Sequence, residues 1–220
     1  MAGGSLWRWE AGLQRYRNAE TGRFIGAKGM VELRDLFVER QKAQTADLAA
    51  RLIGGDLTSA EWVEAMRGVI KQTYIDQYVM ARGGRAAMTQ ADYGRIGAML
   101  KEQYKFLQGF ERDLLNGKLT AGQIATRASM YIDSSTQAFE RARGVAVGAP
   151  KLPQYPGDGA TVCRTSCRCH WEITARVGGW DCYWRLGPVR TEHCPDCQVN
   201  AATWNPLRIE ANVTGGAPHD

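Results

Sequence analysis

The chain contains 220 residues, of which 44% are hydrophobic and 23% are charged, and these values are typical of a soluble globular protein. The length allows one sizeable core with a small appendage, or two small domains. The formal net charge of +5 divides into +3 for residues 1–53, +2 for residues 54–150 and zero for residues 151–220. The neutral last segment argues against a nucleic-acid finger there, because binding to the phosphate backbone normally needs clustered positive charge.

The N-terminal sequence has neither the apolar core nor the cleavage site of an export signal, and Ala2 stands where myristoylation requires glycine. No apolar run approaches the roughly 18 residues of a membrane span. We therefore expect a protein that stays in the compartment where it is made and has no membrane segment.

Residues 1–28 are predicted to form an N-terminal arm, in which residues 13–25 are typical of a small hairpin with a turn over residues 18–22. Such a unit is too small to be stable alone. It should therefore order against the body of the protein, a neighbouring subunit or nucleic acid. The residues that we assign to partner binding are Arg15, Tyr16, Arg17, Arg23 and Phe24.

Residues 29–147 show helical periodicity and three helix starts of one design. In each start, a threonine precedes an acidic or amide residue by three positions, which is the pattern of a capping box. The pairs are Thr58 with Glu61, Thr89 with Asp92, and Thr120 with Gln123. Glycine-containing stops complete a prediction of four helices, at about residues 30–53, 59–82, 90–116 and 121–144.

The third predicted helix carries a second apolar stripe, formed by Met99, Phe106 and Phe110, so it lies centrally or meets a partner. The helical domain contains no nucleotide-binding loop, paired-carboxylate motif or Ser-His-Asp pattern. Three prolines and three glycines between residues 145 and 162 then predict a linker over residues 148–162.

All six cysteines and two of the three histidines fall between residues 163 and 197. They form a CxxxCxC half and an HCxxC half, and the segment between them alternates as two strands that turn at Gly178 and Gly179. Two ligand pairs brought together by a hairpin suit zinc, which takes four sulfur or nitrogen ligands in a tetrahedron. The pattern predicts a zinc-binding β subdomain over residues 163–207, followed by a tail over residues 208–220.

The metal ligands that we assign are Cys163, Cys167, Cys194 and Cys197. Cys169 is the alternative to Cys167, because alternate residues of a strand face the same way. His193 is a further alternative, although a histidine beside a ligand cysteine often only packs over the site, and the same holds for His170. Cys182 falls on the apolar face of its strand and is not assigned to the metal.

Two other interpretations of the cysteines are less favoured. A disulfide framework, with fifteen possible pairings, would fit a secreted protein, but the sequence shows no export signal. A catalytic site would need a dedicated base or an open metal position, and Glu172 and Glu192 stand in neither an HExxH nor an HxE…PCxxC arrangement. We therefore expect a structural zinc and no enzymatic activity.

A set of motifs occurs in a fixed order: Tyr-Arg-Asn…Gly-Arg-Phe-Ile, the helical body, Leu-Pro-x-Tyr-Pro-Gly-Asp-Gly, CxxxCRCxWxI, Tyr-Trp-Arg-Leu and HCxxC. In this order they resemble the minor head (head morphogenesis) proteins of tailed bacteriophages, in particular the group similar to Mu protein F. The resemblance is most specific over residues 152–207 and only architectural over residues 30–147. It puts Cys163, Cys167 or Cys169, Cys194 and Cys197 on the family's presumed zinc positions.

The resemblance implies a virion structural protein, assembled in the host cytoplasm, that lies near the portal or the inner capsid wall and assists head assembly and DNA packaging or delivery. Its partners would be the portal or the major capsid protein, with weak, non-specific contact to packaged DNA. The expected fold is mainly α, with about four helices, an N-terminal arm and a small zinc-stabilised β-hairpin subdomain. The alternative function is a zinc-ribbon nucleic-acid-binding regulator, which the balanced charge of the C-terminal segment disfavours.

Overall fold

The computed structural model describes residues 7–13, 15–188 and 192–211. In this part of the chain, a body of α-helices is preceded and followed by a small antiparallel sheet. The predicted fold class, mainly α with an N-terminal arm and a C-terminal β-hairpin subdomain, is confirmed. Among the described residues, no helix combines the length and the apolar character that a membrane crossing requires.

The first three helices follow the predicted starts and stops closely. Their bounds are α1 Ala27–Ile53, α2 Ser59–Arg82 and α3 Gln90–Leu115. Thr58, Thr89 and Thr120 each form a complete capping box, in which the threonine side chain accepts the backbone N–H three residues later and that residue's side chain accepts the threonine N–H. Each such cap stabilises its helix by about 1 kcal/mol.

The predicted helix over residues 121–144 is wrong as a single element. The chain instead forms α4, Ala121–Ser134, and α5, Thr136–Ala146, with a break at Ser135. The hydroxyl groups of Ser134 and Ser135 donate to carbonyl oxygens three residues earlier, at 2.9 and 2.6 Å. Serine hydroxyls that bond to nearby carbonyl oxygens compete with helical hydrogen bonding, which favours an interruption at this point of the sequence.

The helical core is built around Trp62, which is fully buried. Its ring meets Phe110 edge-on, with 5.1 Å between ring centroids, and Phe110 stacks on Tyr131 at 6.4 Å. These rings join α2, α3 and α4. The residues of the second apolar stripe predicted on α3 therefore have different environments: Phe110 is buried in the core, whereas Phe106 is 60% exposed.

The N-terminal sheet has the strand order β1–β2–β3. Its strands are β1 Trp7–Glu10, β2 Arg15–Asn18 and β3 Phe24–Ile25. The predicted turn after Asn18 is confirmed, since the Asn18 Oδ1 atom accepts the N–H groups of Glu20 and Thr21. The Tyr16 hydroxyl donates to the carbonyl oxygen of Ala81 at 3.2 Å, so the arm is packed on α2.

The C-terminal module, residues 148–211, contains a second sheet with the order β4–β5–β6. Its elements are β4 His170–Arg176, β5 Gly179–Arg185, α6 Pro195–Thr203 and β6 Leu207–Glu210. The predicted hairpin is confirmed: Arg176 pairs with Gly179, and Gly178 in the turn has a φ of +79°. The sequence pattern does not indicate α6 or β6, and β6 extends from the predicted subdomain into residues 208–210 of the predicted tail.

Three tryptophans form the centre of the C-terminal module. The Trp171 ring lies 5.2 Å from the Trp184 ring and 5.2 Å from the Trp204 ring, measured between centroids. Leu152 and Tyr155, from the segment predicted as a linker, are buried against the same core. Residues 148–162 are therefore packed and contribute to the core of the module.

Gly157, in the same segment, fits against the break between α4 and α5. Its φ is +83°, and an added Cβ atom would lie 3.2 Å from both the carbonyl oxygen of Asp133 and the Cβ atom of Thr136. Any side chain would need a strained backbone and a shift of its neighbours. The break and the segment thus fix each other's position.

A buried ion pair joins the helical body to the C-terminal module. Arg34 of α1 and Glu140 of α5 are both 0% exposed, and their charged atoms are 2.7 Å apart. Arg34 also donates to the carbonyl oxygens of Arg168 and Cys169, at 3.3 Å each. Glu140 accepts the backbone N–H of Trp171 at 3.0 Å. The two modules therefore share buried hydrogen bonds as well as the chain between them.

We expect Glu140→Ala to lower the free energy of unfolding by about 3 kcal/mol, because it removes the buried partner of Arg34 and leaves only Asp35, whose side chain is 22% exposed, to balance the guanidinium. Glu32→Ala, at an exposed position of α1, should change the free energy of unfolding by less than about 0.5 kcal/mol. Urea unfolding followed by circular dichroism measures both values. The ion pair is not structurally important if the two variants unfold at the same urea concentration.

Candidate metal centre

Cysteines approach one point from two parts of the C-terminal module. Cys163 and Cys167 flank a short 3-10 helix, and Cys169 directly precedes β4. Cys194 is the N-cap residue of α6, and Cys197 lies in the first turn of that helix, after a proline at the first helical position. Proline is favoured there because its missing N–H would have no partner within the helix.

The Sγ atoms of Cys163, Cys167 and Cys197 all lie within 4.8 Å of one another. Cys197 Sγ is 3.7 Å from Cys163 Sγ and 3.6 Å from Cys167 Sγ. A tetrahedral site with metal–sulfur bonds of about 2.3 Å has sulfur–sulfur edges of about 3.8 Å, whereas a disulfide bond requires about 2.05 Å. All six cysteines are free thiols, so the spacing is that of metal ligands.

Cys169 and Cys194 extend this triangle on two sides. The Cys169 thiol is in hydrogen-bonding contact with Cys167 and Cys197, and the Cys194 thiol with Cys163 and Cys197. Five thiols therefore surround a site at which a tetrahedral metal needs four. The assigned ligands and the alternative Cys169 are all brought together.

The crowding of the thiols shifts their pKa values in opposite directions. Hydrogen bonds from Cys167 and Cys197 lower the pKa of the Cys169 thiol, and bonding to Cys169 raises the pKa of Cys167. Burial opposes ionisation of Cys194, but backbone N–H groups of Cys197 and Cys163 outweigh it and lower the Cys194 pKa. A group of thiols that share protons in this way suits a cation, which would replace those protons.

The two histidines in this part of the sequence do not join the group of ligand atoms found among the described residues. The backbone carbonyl oxygen of His193 accepts a hydrogen bond from Gln198 Nε2 at 3.0 Å. His170 begins β4, where burial lowers its pKa and its Nδ1 atom has no hydrogen-bond partner in the described chain. The site is thus built from sulfur, with Cys167, Cys169 and Cys197 only 1–2% exposed, as is typical of structural metal sites.

Cys182 lies outside the cluster, as its position on an apolar strand face predicts. It pairs with Ile173 across the hairpin and is 0% exposed. Burial raises the pKa of this thiol to about 11. Its contribution is to the core of the module.

Polar contacts close to Cys163 tie the preceding segment to α6. The Asp196 carboxylate accepts the backbone N–H of Val162 at 2.8 Å. The Thr161 hydroxyl lies 3.1 Å from Cys163 Sγ. The two halves of the cysteine motif are therefore held in position by protein groups as well as by any bound metal.

The partner-binding candidates lie on the N-terminal sheet, apart from the cysteines. Arg15, Arg17, Arg23 and Phe24 are exposed, and the Arg17 guanidinium lies over the Phe24 ring at 5.6 Å. Tyr16 is only 2% exposed and belongs to the helical core, which corrects its assignment as a surface contact. Alternate strand residues face opposite sides, so Tyr16 points inward where its two arginine neighbours point outward.

Sequence reasoning did not identify Arg34 and Glu140, which hold the cysteine-bearing segment against the body. They are separated by more than a hundred residues and belong to no local motif, so only the assembled fold reveals them. Comparisons with protein family models, curated proteins and solved structures found no match for the chain.

Replacing Cys197 by alanine should abolish metal binding, because its sulfur is the common neighbour of the other thiols. Cys182→Ala is the matched control, since it removes a buried thiol of the same module outside the cluster. Plasma mass spectrometry of the purified variants gives the metal content per chain. Equal metal content in the two variants would contradict the assignment of the site.

The fourth ligand position can be tested separately. Cys169→Ala and Cys194→Ala each leave the close group of Cys163, Cys167 and Cys197 together with a fourth thiol, so each should retain metal with weakened affinity. The double variant has only three thiols at the site and should lose the metal. Competition with a chromophoric chelator measures the affinities. If one single substitution alone abolishes binding, that cysteine is an obligatory ligand and the other cannot substitute for it.

Proposed function

We propose that the protein is a minor structural component of a tailed-phage head, near the portal or the inner capsid wall, and that zinc bound by its cysteines stabilises the C-terminal module. Its role is to assist head assembly and DNA packaging or delivery. The main support is that residues of the motifs shared with the minor head proteins pack the core of the C-terminal module or attach it to the helical body. A protein whose distinguishing residues build and attach a module is suited to assembly.

Tyr155 and Trp171 illustrate this support. Tyr155, from the Leu-Pro-x-Tyr-Pro-Gly-Asp-Gly motif, is buried, and its hydroxyl accepts the backbone N–H of Leu152 at 2.9 Å. Trp171, from the CxxxCRCxWxI motif, is fully buried, and its backbone N–H reaches Glu140 of the helical body. Both motifs are accounted for by packing and attachment.

Zinc is the metal that the donor set favours. Thiolate sulfur is a soft ligand, and a closed tetrahedral group of four sulfurs is typical of structural zinc. Because such a site does not exist in the unfolded chain, the free energy of metal binding adds to the stability of the module. Zinc would therefore keep a small module folded where its apolar core is limited to a few residues.

The alternative, a zinc-ribbon regulator of nucleic acid, would need free basic residues on the module. Arg168, Arg176 and Arg185 are instead each paired with a carboxylate, from Glu39, Glu210 and Glu172 respectively. Paired arginines are poorly placed to neutralise phosphates. The paired arginines of the hairpin and of the segment before it therefore favour the structural role over a zinc-ribbon contact with nucleic acid.

The exposed side of the arm is our candidate for attachment to another virion component. A variant that combines Arg15→Glu, Arg23→Glu and Phe24→Ala should stay folded, because these side chains are exposed. It should no longer enter particles. Arg40→Glu with Arg51→Glu, at exposed sites on α1, is the control and should be incorporated normally. Gel analysis of purified particles measures incorporation, and circular dichroism checks the fold.

The same gel tests the head function itself. The unmodified protein should be found in purified particles in few copies, and its absence from them would overturn the proposal. Normal incorporation of the arm variant would overturn only the role of the arm.

A further inference from the structure

A long groove runs along α3. It consists of two adjoining cavities of about 930 and 800 Å³, between α3 on one side and α4, α5 and residues 149–165 on the other. Gln103, Phe106 and Gln137 line both cavities, so the two are continuous. Along α3 and its C-cap residue the lining extends from Arg95 to Asn116, which corresponds to roughly 30 Å at the helical rise per residue.

The groove is strongly basic. Eight basic and three acidic side chains line it, which gives a net charge of +5. The formal charge of the whole chain is also +5, so the rest of the chain is electrically balanced. A concave surface that concentrates one sign of charge attracts ligands of the opposite sign.

Several of these basic groups are available to a ligand. Arg112, Lys118 and Lys151 are exposed and take part in no ion pair found in the described chain. The Arg141 guanidinium is held over the Tyr155 ring at 4.3 Å, which orients its N–H groups without neutralising its charge. Cations of this kind suit phosphate groups, which accept several hydrogen bonds at once.

The centre of the groove differs from its two ends. Phe106, at 60% exposure, presents a free aromatic face there. Beside it, Gln103 Oε1 lies 3.1 Å from the Ser134 hydroxyl oxygen, and Gln137 Nε2 lies 3.4 Å from the Tyr74 hydroxyl oxygen. These buried contacts hold the two amides in place at the floor of the groove.

We propose that the groove binds a single strand of nucleic acid, with a base stacked on Phe106 near the amides of Gln103 and Gln137 and with phosphates along the basic walls. Single-strand sites combine a basic groove with exposed aromatic rings in this way. Basic groups lie in both cavities, and Phe106, Gln103 and Gln137 lie where the cavities meet, which matches a base flanked by phosphates. The Asp158 carboxylate also lies at this junction, but it accepts the backbone N–H groups of Tyr155 and Ala160.

An acidic peptide is the competing ligand, and it would use the basic walls but not the stacking face. The central ring and amides therefore favour nucleic acid. This inference concerns the groove between α3 and the rest of the chain and does not rest on the proposed head function.

Fluorescence anisotropy with the full-length protein and a labelled oligothymidine of about 12 nucleotides tests the proposal, since single-strand sites cover lengths of this order. We expect binding that weakens steeply between about 50 and 200 mM salt, because counterions are released from the strand. A duplex of the same length and a glutamate-rich peptide, used as competitors, should displace the strand at least about tenfold less well.

Phe106→Ala should weaken binding by about fivefold or more, as expected for loss of one stacked base. Substitution of Arg112, Lys118 and Lys151 by glutamate, which reverses three charges of the groove, should abolish binding of the strand. The matched control reverses three exposed basic residues of α1, Lys28, Arg40 and Arg51, and should bind normally. All of these side chains are exposed, so circular dichroism should be unchanged.

Three results would overturn the proposal. The first is no measurable binding of the single strand at the lowest salt. The second is equal loss of binding in the groove variant and the α1 control, which would show that binding depends on the net charge of the protein and not on the groove. The third is preferential displacement by the duplex or the acidic peptide.

Discussion

The buried pair of Arg34 and Glu140 is the interaction on which the arrangement of the two modules depends. Taking both charges out of water is costly, and their attraction offsets that cost only if the remaining donors and acceptors find partners. Asp35 of α1 is one such partner of the guanidinium, and the C-terminal module supplies the others, through the carbonyl oxygens of Arg168 and Cys169 and the N–H of Trp171. Because Cys169 also belongs to the thiol cluster, the segment that meets the helical body is the one that shapes the metal site.

Features with a local pattern could be predicted from the sequence. The helix starts at Thr58, Thr89 and Thr120 are capping boxes, which depend on residues three positions apart. The hairpin between the cysteine halves follows from alternation and a glycine turn, and the grouping of the thiols follows from their spacing. In each case the residues that decide the structure are neighbours in the chain.

Features decided by distant residues could not be predicted in this way. The sequence at Ser134 and Ser135 is compatible with one continuous helix. The break there packs against Gly157, which belongs to the predicted linker. Strand alternation in the arm separates Tyr16 from its neighbours, but which side faces a core depends on α2. The basic groove is hidden for the same reason, since its charges come from several elements that are spread along the sequence.

The charged groups of the Arg34–Glu140 pair and the backbone groups that bind them lie in different parts of the chain, which has a consequence during synthesis. Helices α1 to α5 leave the ribosome before residues 168–171, so for that interval the pair lacks the backbone partners that complete it. Domains generally fold as units during synthesis, beginning with the N-terminal parts of the chain. A chain that ends before residue 168 therefore leaves Arg34 and Glu140 to be solvated by water, whereas the finished protein surrounds the same two charges with its own backbone groups.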